Sequence, residues 1–151
     1  IVEDEGRLIG HCALPLPLQA ARHHANWIQL EVPLEDRVQH SYDNYILSNL
    51  EELLALSADW DSAFTEFELG LLDALSRIQK RLGDARYTAL HADLTAALSS
   101  HRLGDPEPHK KWIETLLTQY YDPMYSYQMA KRAQAPLFRG NESEIIGYLT
   151  A

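Results

Sequence analysis

The most regular feature of the chain is an apolar pattern with spacings of three and four residues, which begins at Leu34. A second stripe runs from Phe64 to Leu82, Tyr87 begins a third, and Trp112 begins a fourth. The members of the first stripe are Leu34, Val38, Tyr42, Tyr45, Ile46, Leu50, Leu53 and Leu54. Apolar residues at such spacings share one face of an α-helix. The pattern therefore predicts a series of helices that pack through their apolar faces.

Several residues mark where these helices begin and end. Gly83 follows the second stripe and is a natural C-terminal cap. Asp122 followed by Pro123 predicts a helix start, because Asp accepts hydrogen bonds from free N–H groups and Pro fits the first helical position. Asn141 with Glu144 has the form of a capping box, which predicts a helix at the end of the chain.

Three short segments have the character of β-strands. Ile1-Val2 is interpreted as the end of a buried strand that leads into an acidic loop. Residues 27–32 alternate between apolar and polar up to Pro33, and residues 136–140 form another candidate strand. A sheet made only of these strands would be small and poorly covered. The strands therefore predict a parallel sheet whose other strands lie upstream of this sequence.

Composition places the chain among soluble globular proteins. It has 151 residues, of which 46% are hydrophobic and 23% are charged. No apolar run approaches the roughly 20 residues of a membrane span, and no secretion signal opens the sequence. The single cysteine, Cys12, excludes an internal disulfide and fits a reducing compartment. A cytoplasmic location without membrane association is therefore expected.

The net charge of −9 and the pI near 5.1 argue against a generic nucleic-acid-binding protein, which is usually basic. The net charge and pI do not exclude a local basic groove, because the cations and the acidic residues are concentrated in different parts of the chain. The cations group at Arg77, Lys80, Arg81 and Arg86, at Lys110 and Lys111, and at Lys131, Arg132 and Arg139.

The segment from residue 120 to residue 132 holds half of the eight tyrosines and ends on the basic pair Lys131-Arg132. Its tyrosines are Tyr120, Tyr121, Tyr125 and Tyr127. In one interpretation the rings fill a helix–helix corner and the hydroxyls reach water, and the local pattern favours this interpretation. In the other, the rings are a platform for bases and the cations contact phosphate.

The acidic loop at Glu3, Asp4 and Glu5 is a candidate for phosphate chemistry. Carboxylates at the C-terminal end of a strand face the crevice where α/β folds bind ligands, and Mg²⁺ on phosphate takes oxygen ligands. A solvated acidic loop explains the same residues equally well. The glycine-rich phosphate loop is absent from this sequence.

Arg37 is a candidate phosphate contact because it lies one turn into a helix that follows a strand. Its guanidinium can bind a phosphate in bidentate fashion. The commoner alternative is an ion pair with Asp or Glu on a surface helix. The His and Cys residues at 11–12 and 23–24 lack the paired spacing of a zinc site.

Five blocks of sequence occur together in a characteristic order and spacing. They are VEDEGRLIG at 2–10, PLEDR at 33–37, IQKRLG at 78–83, YYDPMY at 120–125 and FRG at 138–140. In these blocks the chain resembles the C-terminal part of the bacterial tRNA 2-selenouridine synthases. The resemblance covers essentially the whole chain.

The resemblance implies more than the patterns do. Members of this family carry a rhodanese-like domain with a cysteine, a P-loop-type domain and a helical region. They modify the wobble uridine of certain tRNAs: 2-thiouridine is S-geranylated with geranyl diphosphate, and selenium from selenophosphate then replaces the geranylthio group. The expected partners are therefore tRNA, selenophosphate, geranyl diphosphate and the upstream rhodanese and phosphate-loop segments of the same protein.

The fold implied is mainly α with a few short parallel strands, the second half of a P-loop-like α/β domain plus a helical region. Residues 1–33 would be the remnant of the α/β core, residues 34–133 the helical region, and residues 134–151 a short strand with a terminal helix. Because the sequence begins after the phosphate loop, these residues alone are expected to be inactive.

The resemblance also assigns roles to residues. The residues expected beside the pyrophosphate or selenophosphate are Glu3, Asp4, Glu5 and Arg7, with Mg²⁺ as cofactor on Asp4 and Glu5. Arg37 would be a further phosphate contact. The residues expected to border tRNA or the isoprenoid chain are Tyr120, Tyr121, Tyr125, Lys131, Arg132 and Arg139.

Two other functions stay open at this point. One is a nucleotide kinase-like P-loop protein with Arg37 as a lid arginine, which binding of ATP rather than geranyl diphosphate would favour. The other is a tRNA-binding or interdomain helical module that has no catalytic residues.

Overall fold

A computed structural model describes residues 2–3, 8–9, 11–132 and 134–151, and these residues are mainly helical. The helices are α1 (Leu16–His24), α2 (Leu34–Tyr42), α3 (Asn49–Leu56), α4 (Trp60–Arg77), α5 (Gln79–Leu82), α6 (Asp84–Arg102), α7 (His109–Leu116), α8 (Asp122–Ala130) and α9 (Glu142–Thr150). The strands are β1 (Leu8–Ile9), β2 (Cys12–Ala13), β3 (Ile28–Leu30) and β4 (Phe138–Gly140). A first π-helical segment, Asp43–Ser48, follows α2, and a second, Leu117–Tyr121, follows α7.

The chain divides into two compact units. The terminal unit comprises residues 1–31 and 133–151, and the helical unit comprises residues 32–132. Every helix in the described part of the chain is too short or too polar to cross a membrane.

The terminal unit contains short parallel strands, as the sequence predicts, but they pair with each other. β3 pairs with β4 in parallel, with Ile28 opposite Phe138 and Leu30 opposite Gly140. β1 and β2 form a short antiparallel hairpin. A mainly α fold with short parallel strands is thus confirmed.

The terminal helix α9 begins as its capping box predicts. The Asn141 side chain accepts a hydrogen bond from the Glu144 backbone N–H at 3.0 Å, and the Glu144 carboxylate accepts one from the Asn141 backbone N–H at 2.8 Å. The Tyr148 ring of α9 stacks on the Phe138 ring of β4 with 4.7 Å between ring centroids. This contact holds the helix against the strand.

One strand prediction is wrong. Val2 lies outside any strand and its side chain is 80% exposed, while Ile1 lies outside the described residues. Two consecutive apolar residues are too short a pattern to distinguish a strand from a loop, because strand periodicity shows only over four or more residues.

The helical unit is built around the apolar stripes. Its most deeply buried side chains include Ile46, Phe64, Phe67, Leu90, Leu94 and Leu98. The second stripe, predicted as one helix, is interrupted at Ile78, which separates α4 from α5. Gly83 ends α5 with a φ of +79°, a conformation that disfavours residues with a Cβ atom. Its assignment as a helix end is confirmed.

α8 begins at Asp122 with Pro123 in its first turn, as the sequence predicts, but the predicted cap is wrong. The backbone stays right-handed helical from α7 through the second π segment into α8, and the Asp122 side chain makes no cap. Pro123 lacks an N–H, and its ring would clash with the carbonyl of Gln119 in a regular α-helix. The wider π turn directly before Pro123 relieves this conflict, so the helical backbone continues through the proline.

Two histidines lie inside the core of the helical unit. The Trp112 indole Nε1–H donates to Nδ1 of His109 at 2.9 Å, which leaves the hydrogen of the neutral imidazole on Nε2. That nitrogen faces Nδ1 of His101 at 3.3 Å. Burial, together with the neighbouring His101, lowers the pKa of His109 from 6.5 to about 4.

The lowered pKa of His109 predicts that the helical unit loses stability in mild acid. Unfolded His109 binds a proton below pH 6.5, but folded His109 stays neutral until about pH 4. We therefore expect the free energy of unfolding to fall by about 2 kcal/mol between pH 7 and pH 5. Urea titrations of His109→Gln should show a much flatter pH dependence, whereas His91→Gln on α6 should keep it. Equal pH dependence in the two variants would contradict this assignment.

Candidate functional site

The acidic loop lies mostly outside the described residues. Asp4, Glu5 and Arg7 are not described, and Glu3 is exposed. Among residues 2–3, 8–9, 11–132 and 134–151, no group of three or more His, Cys, Asp or Glu side chains is arranged to hold a metal ion. The catalytic and Mg²⁺-binding roles of this loop therefore remain predictions.

Arg37 forms an ion pair that joins two distant helices. Its Nη1 lies 2.5 Å from Oδ1 of Asp122 and its Nη2 lies 3.1 Å from Oδ2, which makes the pair bidentate. The residues are 85 positions apart in the sequence. Hydrogen bonding to Asp122 raises the pKa of Arg37. The sequence left a paired arginine open as an alternative, and in the structure the partner comes from α8 instead of from α2 itself.

One donor of Arg37 is not used. Its Nε–H is buried and has no hydrogen-bond partner among the described residues. Burying an unsatisfied donor costs about 1–3 kcal/mol. The guanidinium is therefore held by Asp122 in an arrangement that leaves part of its hydrogen-bonding capacity unused.

Three tyrosines next to Asp122 in the sequence contact one another, and we call Tyr120, Tyr121 and Tyr125 the tyrosine cluster. The Tyr120 and Tyr121 rings meet edge to face at 5.0 Å between centroids. The Tyr121 and Tyr125 rings stack 6.4 Å apart and within 23° of parallel. Burial raises the pKa of Tyr121, and the phenol groups of Tyr120, Tyr125 and Tyr45 raise it further.

The structure divides the tyrosine-rich segment between the two interpretations of its sequence. Tyr120 is half-buried and packs against the core, as the helix–helix corner requires. Tyr121 is also half-buried, but Tyr125 is 53% exposed and Tyr127 is 63% exposed. The segment therefore both closes the core and presents aromatic surface to solvent.

The cations assigned to RNA lie in different places. Lys131 follows the last turn of α8, and its Nζ lies 4.2 Å from the centroid of the Tyr127 ring. Arg132 is the next residue and is half-buried. Arg139 lies in β4 of the terminal unit and is exposed. Arg81 of α5 interacts with the Tyr120 hydroxyl, which raises the pKa of the Arg81 guanidinium.

Sequence reasoning missed Tyr45, which it placed on the apolar stripe of α2. In the structure Tyr42 is 3% exposed, but Tyr45 is 64% exposed. A signal was present, because the buried members of this stripe repeat strictly every four residues, at Val38, Tyr42, Ile46 and Leu50. An α-helix repeats every 3.6 residues, so such a stripe drifts around it unless a wider turn intervenes. The first π segment supplies this wider turn and keeps the buried residues on one face of the helix. Tyr45 lies off that face.

The bidentate geometry predicts that Asp122 contributes to stability. In Asp122→Asn the ion pair is replaced by a neutral hydrogen bond, so we expect the free energy of unfolding to fall by about 1 kcal/mol. Asp73→Asn is the matched control, since Asp73 pairs with the neighbouring Arg77 on the exposed face of α4. That variant should lose at most a few tenths of a kcal/mol, about the value of an exposed pair within one helix. Urea unfolding measures both, and equal losses would contradict a special role for Asp122.

Comparison with known proteins places the chain in one family. The family model described as the tRNA 2-selenouridine synthase AAA domain matches residues 1–151. A protein of Hahella chejuensis named tRNA 2-selenouridine synthase is 45% identical over 148 residues, which cover 98% of this chain and 39% of that protein. A protein of the same name from Pseudomonas fluorescens is 39% identical, and the match covers 99% of this chain and 41% of that protein. One from Alcanivorax borkumensis is 38% identical, and the match covers 100% of this chain and 42% of that protein.

The comparison with solved structures found no match. The chain spans about two fifths of the length of the curated relatives it matches. The match extends over every block on which the resemblance rests, including the YYDPMY segment that carries the tyrosine cluster. This chain therefore belongs to the tRNA 2-selenouridine synthase family, within its AAA domain.

Proposed function

We propose that the complete protein modifies tRNA, and that this chain supplies part of its RNA-binding surface. Membership of the tRNA 2-selenouridine synthase family supports the proposal, since relatives that match along essentially all of this chain carry that name. The observation in the structure that carries it is the tyrosine cluster, which presents aromatic rings to solvent on the same helix that ends at Lys131 and Arg132.

The physical basis is that RNA is bound through bases stacked on aromatic rings and phosphates paired with cations. Tyr121 and Tyr125 offer ring faces, and Lys131 and Arg132 offer positive charge at the end of α8. Such a local surface works despite the overall charge of −9, because phosphate contacts act over about a Debye length of 8–10 Å. Arg139, in the terminal unit, would be a separate phosphate contact.

The reaction we propose for the complete protein has two stages. The sulfur of 2-thiouridine attacks the geranyl group of geranyl diphosphate and pyrophosphate leaves. The selenium of selenophosphate then attacks C2 of the uracil ring and geranylthiol leaves. Hydrolysis of the Se–P bond releases phosphate and leaves the selenium on C2. Pyrophosphate is the leaving group of the first stage, and phosphate is the carrier of selenium in the second. Cations stabilise the negative charge that develops on both groups.

Within this chain, we assign the phosphate groups to the acidic loop and to Arg37. Mg²⁺ held by Asp4 and Glu5 would neutralise phosphate charge, with Glu3 and Arg7 beside it. The guanidinium of Arg37 is complementary to phosphate as well as to the Asp122 carboxylate that it binds. A phosphate at Arg37 would therefore compete with Asp122.

The RNA-binding role predicts separable effects of two substitutions in the complete protein. Tyr121→Ala should weaken tRNA binding roughly tenfold through lost stacking, with no change in the dependence of the affinity on salt. Arg132→Ala should weaken binding and also reduce the slope of log K against log salt by about 0.7–0.9, as expected for one lost phosphate contact. Equilibrium binding at several salt concentrations measures both quantities.

Lys111→Ala is the matched control for these binding measurements. The Lys111 ammonium is engaged by Asp93 at 2.7 Å, and this variant should bind tRNA like the unaltered protein. Unchanged binding in both Tyr121→Ala and Arg132→Ala would leave helix–helix packing as the role of the segment. It would also favour the kinase-like alternative if the complete protein then bound ATP.

The acidic loop predicts a different pattern, in which chemistry is lost but RNA binding is kept. Glu5→Gln and Arg7→Ala in the complete protein should slow S-geranylation of 2-thiouridine-containing tRNA by roughly 100-fold or more, because charge stabilisation at the leaving pyrophosphate is lost. Their affinity for tRNA should stay within about twofold. Glu52→Gln, on the exposed side of α3, is the control and should be fully active. Normal geranylation in both loop variants would contradict the catalytic role of the acidic loop.

A further inference from the structure

Helix α8 has little apolar packing to hold it in place. None of its nine residues is buried. Most of the stability of a helix in a folded protein comes from the packing of an apolar face, which α8 lacks. The Arg37–Asp122 ion pair joins α2 to the first residue of α8. This pair is therefore important for the position of α8.

The ion pair is open to solvent and is only partly satisfied. The side chains of Arg37 and Asp122 are 34% and 36% exposed. Asp122 binds through the two Nη atoms of Arg37, at 2.5 and 3.1 Å, while the Nε–H is buried with no partner among the described residues. A buried donor without a partner costs more than a partly exposed ion pair contributes. The guanidinium is therefore weakly held and accessible to another anion.

The Asp122 carboxylate stands where two phosphate oxygens would bind. Its Oδ1 and Oδ2 each accept a hydrogen bond from one Nη of the same guanidinium, and an arginine binds two oxygens of a phosphate in the same way. Asp122 and a phosphate cannot use these donors together, and their negative charges repel. A phosphate at this position therefore displaces Asp122.

The charge of the phosphate determines how well it competes with Asp122. An RNA phosphodiester carries one negative charge, as the carboxylate does, and Asp122 has the advantage that it belongs to the same chain as Arg37. A terminal phosphate carries about 1.5–2 negative charges near pH 7 and has three free oxygens. Electrostatic attraction to the guanidinium therefore favours exchange with a terminal phosphate, such as that of a diphosphate.

We propose that Arg37 is a binding site for a terminal phosphate, and that Asp122 is an internal competitor which occupies this site until the phosphate displaces it. Displacement breaks the contact between α2 and α8 and loosens the helix that carries Tyr125. The inference rests on the proposed function, because it takes Arg37 as a phosphate contact. It deepens that function by naming the class of phosphate and by giving Asp122 control of access to the site.

A double-mutant cycle with inorganic pyrophosphate tests the exchange in the complete protein. Asp122→Asn should raise the affinity for pyrophosphate roughly fivefold, because the competing charge is removed. Arg37→Gln should lower it at least about tenfold. Adding Asp122→Asn to Arg37→Gln should give no gain, because Asp122 acts only through Arg37. Isothermal titration calorimetry measures the four affinities, and melting curves show that each variant is folded.

Asp36→Asn is the matched control for charge. Asp36 is exposed and directly precedes Arg37 on α2, but the carboxylate that binds Arg37 is that of Asp122. This variant should change the affinity less than about twofold, as expected for an exposed charge. An equal gain in Asp36→Asn and Asp122→Asn would overturn the proposal, as would a gain from Asp122→Asn that persists without Arg37. An unchanged or lower affinity in Asp122→Asn would also overturn it.

Hydrogen exchange tests the displacement without any substitution. Saturating pyrophosphate should speed the exchange of the α8 amides at least about threefold, because the contact with α2 is lost. Binding to the folded state ordinarily has the opposite effect, and the amides of α6 in the core should show slower or unchanged exchange. Exchange of the α8 amides that pyrophosphate slows or leaves unchanged would contradict the displacement of Asp122.

Three outcomes separate this inference from the proposed function. If the complete protein binds tRNA but its affinity for pyrophosphate does not depend on Arg37 and Asp122, only this inference fails. If it does not bind tRNA but the cycle gives the expected result, RNA binding fails and the phosphate site is supported. If Asp122→Asn strengthens binding of dephosphorylated tRNA and not of pyrophosphate, Arg37 contacts the RNA backbone and the proposal is wrong.

Discussion

The constraint on which the helical unit depends is that its apolar stripes must stay on the core over long, nearly continuous helices. Burial of such side chains contributes about 25 cal/mol per Å² of apolar surface and exceeds the small preference of the backbone for regular α-geometry. In the first stripe the buried residues from Val38 to Leu50 repeat every four positions. The helix adopts a π segment at this point, so the packing of the core determines the backbone geometry.

This constraint has a consequence on the outer side of the same helix. A turn that keeps Ile46 on the core carries Tyr45 away from it, to 64% exposure. The Arg37–Asp122 pair ties α2 to the start of α8, next to the tyrosine cluster in the sequence. A partly exposed bidentate pair adds only about 1 kcal/mol of stability, so its larger effect is to fix the relative position of α2 and α8. Core packing and this ion pair together position the segment that carries the tyrosine cluster.

The family assignment and the geometry support the proposed function in different ways. The match along residues 1–151 shows the family, and the tyrosine cluster gives that assignment a surface on which RNA binding can be tested. The chemistry proposed for the acidic loop rests on the sequence resemblance alone, since Asp4, Glu5 and Arg7 lie outside the described residues. RNA binding and group transfer are thus assigned to separate parts of the chain and can be lost separately.

The sequence by itself determined the features that depend on neighbouring residues. Apolar spacing identified the helices, Gly83 marked a turn because only its backbone tolerates a positive φ, and Asn141 with Glu144 specified the start of α9. It also identified the YYDPMY block as the signature of a family. Local pattern did not decide which tyrosines face solvent, because a ring with a polar tip fits the core and the surface equally well.

Only the tertiary structure decided what depends on residues far apart in the chain. Asp122 has the local form of a helix cap, but its carboxylate instead binds Arg37, 85 positions away, and Pro123 is accommodated by a π turn. Tyr45 has the spacing of a core residue, but the packing of Tyr42 and Ile46 turns it outward. In each case the energy gained by a distant contact exceeds the local preference, and no local pattern records that contact.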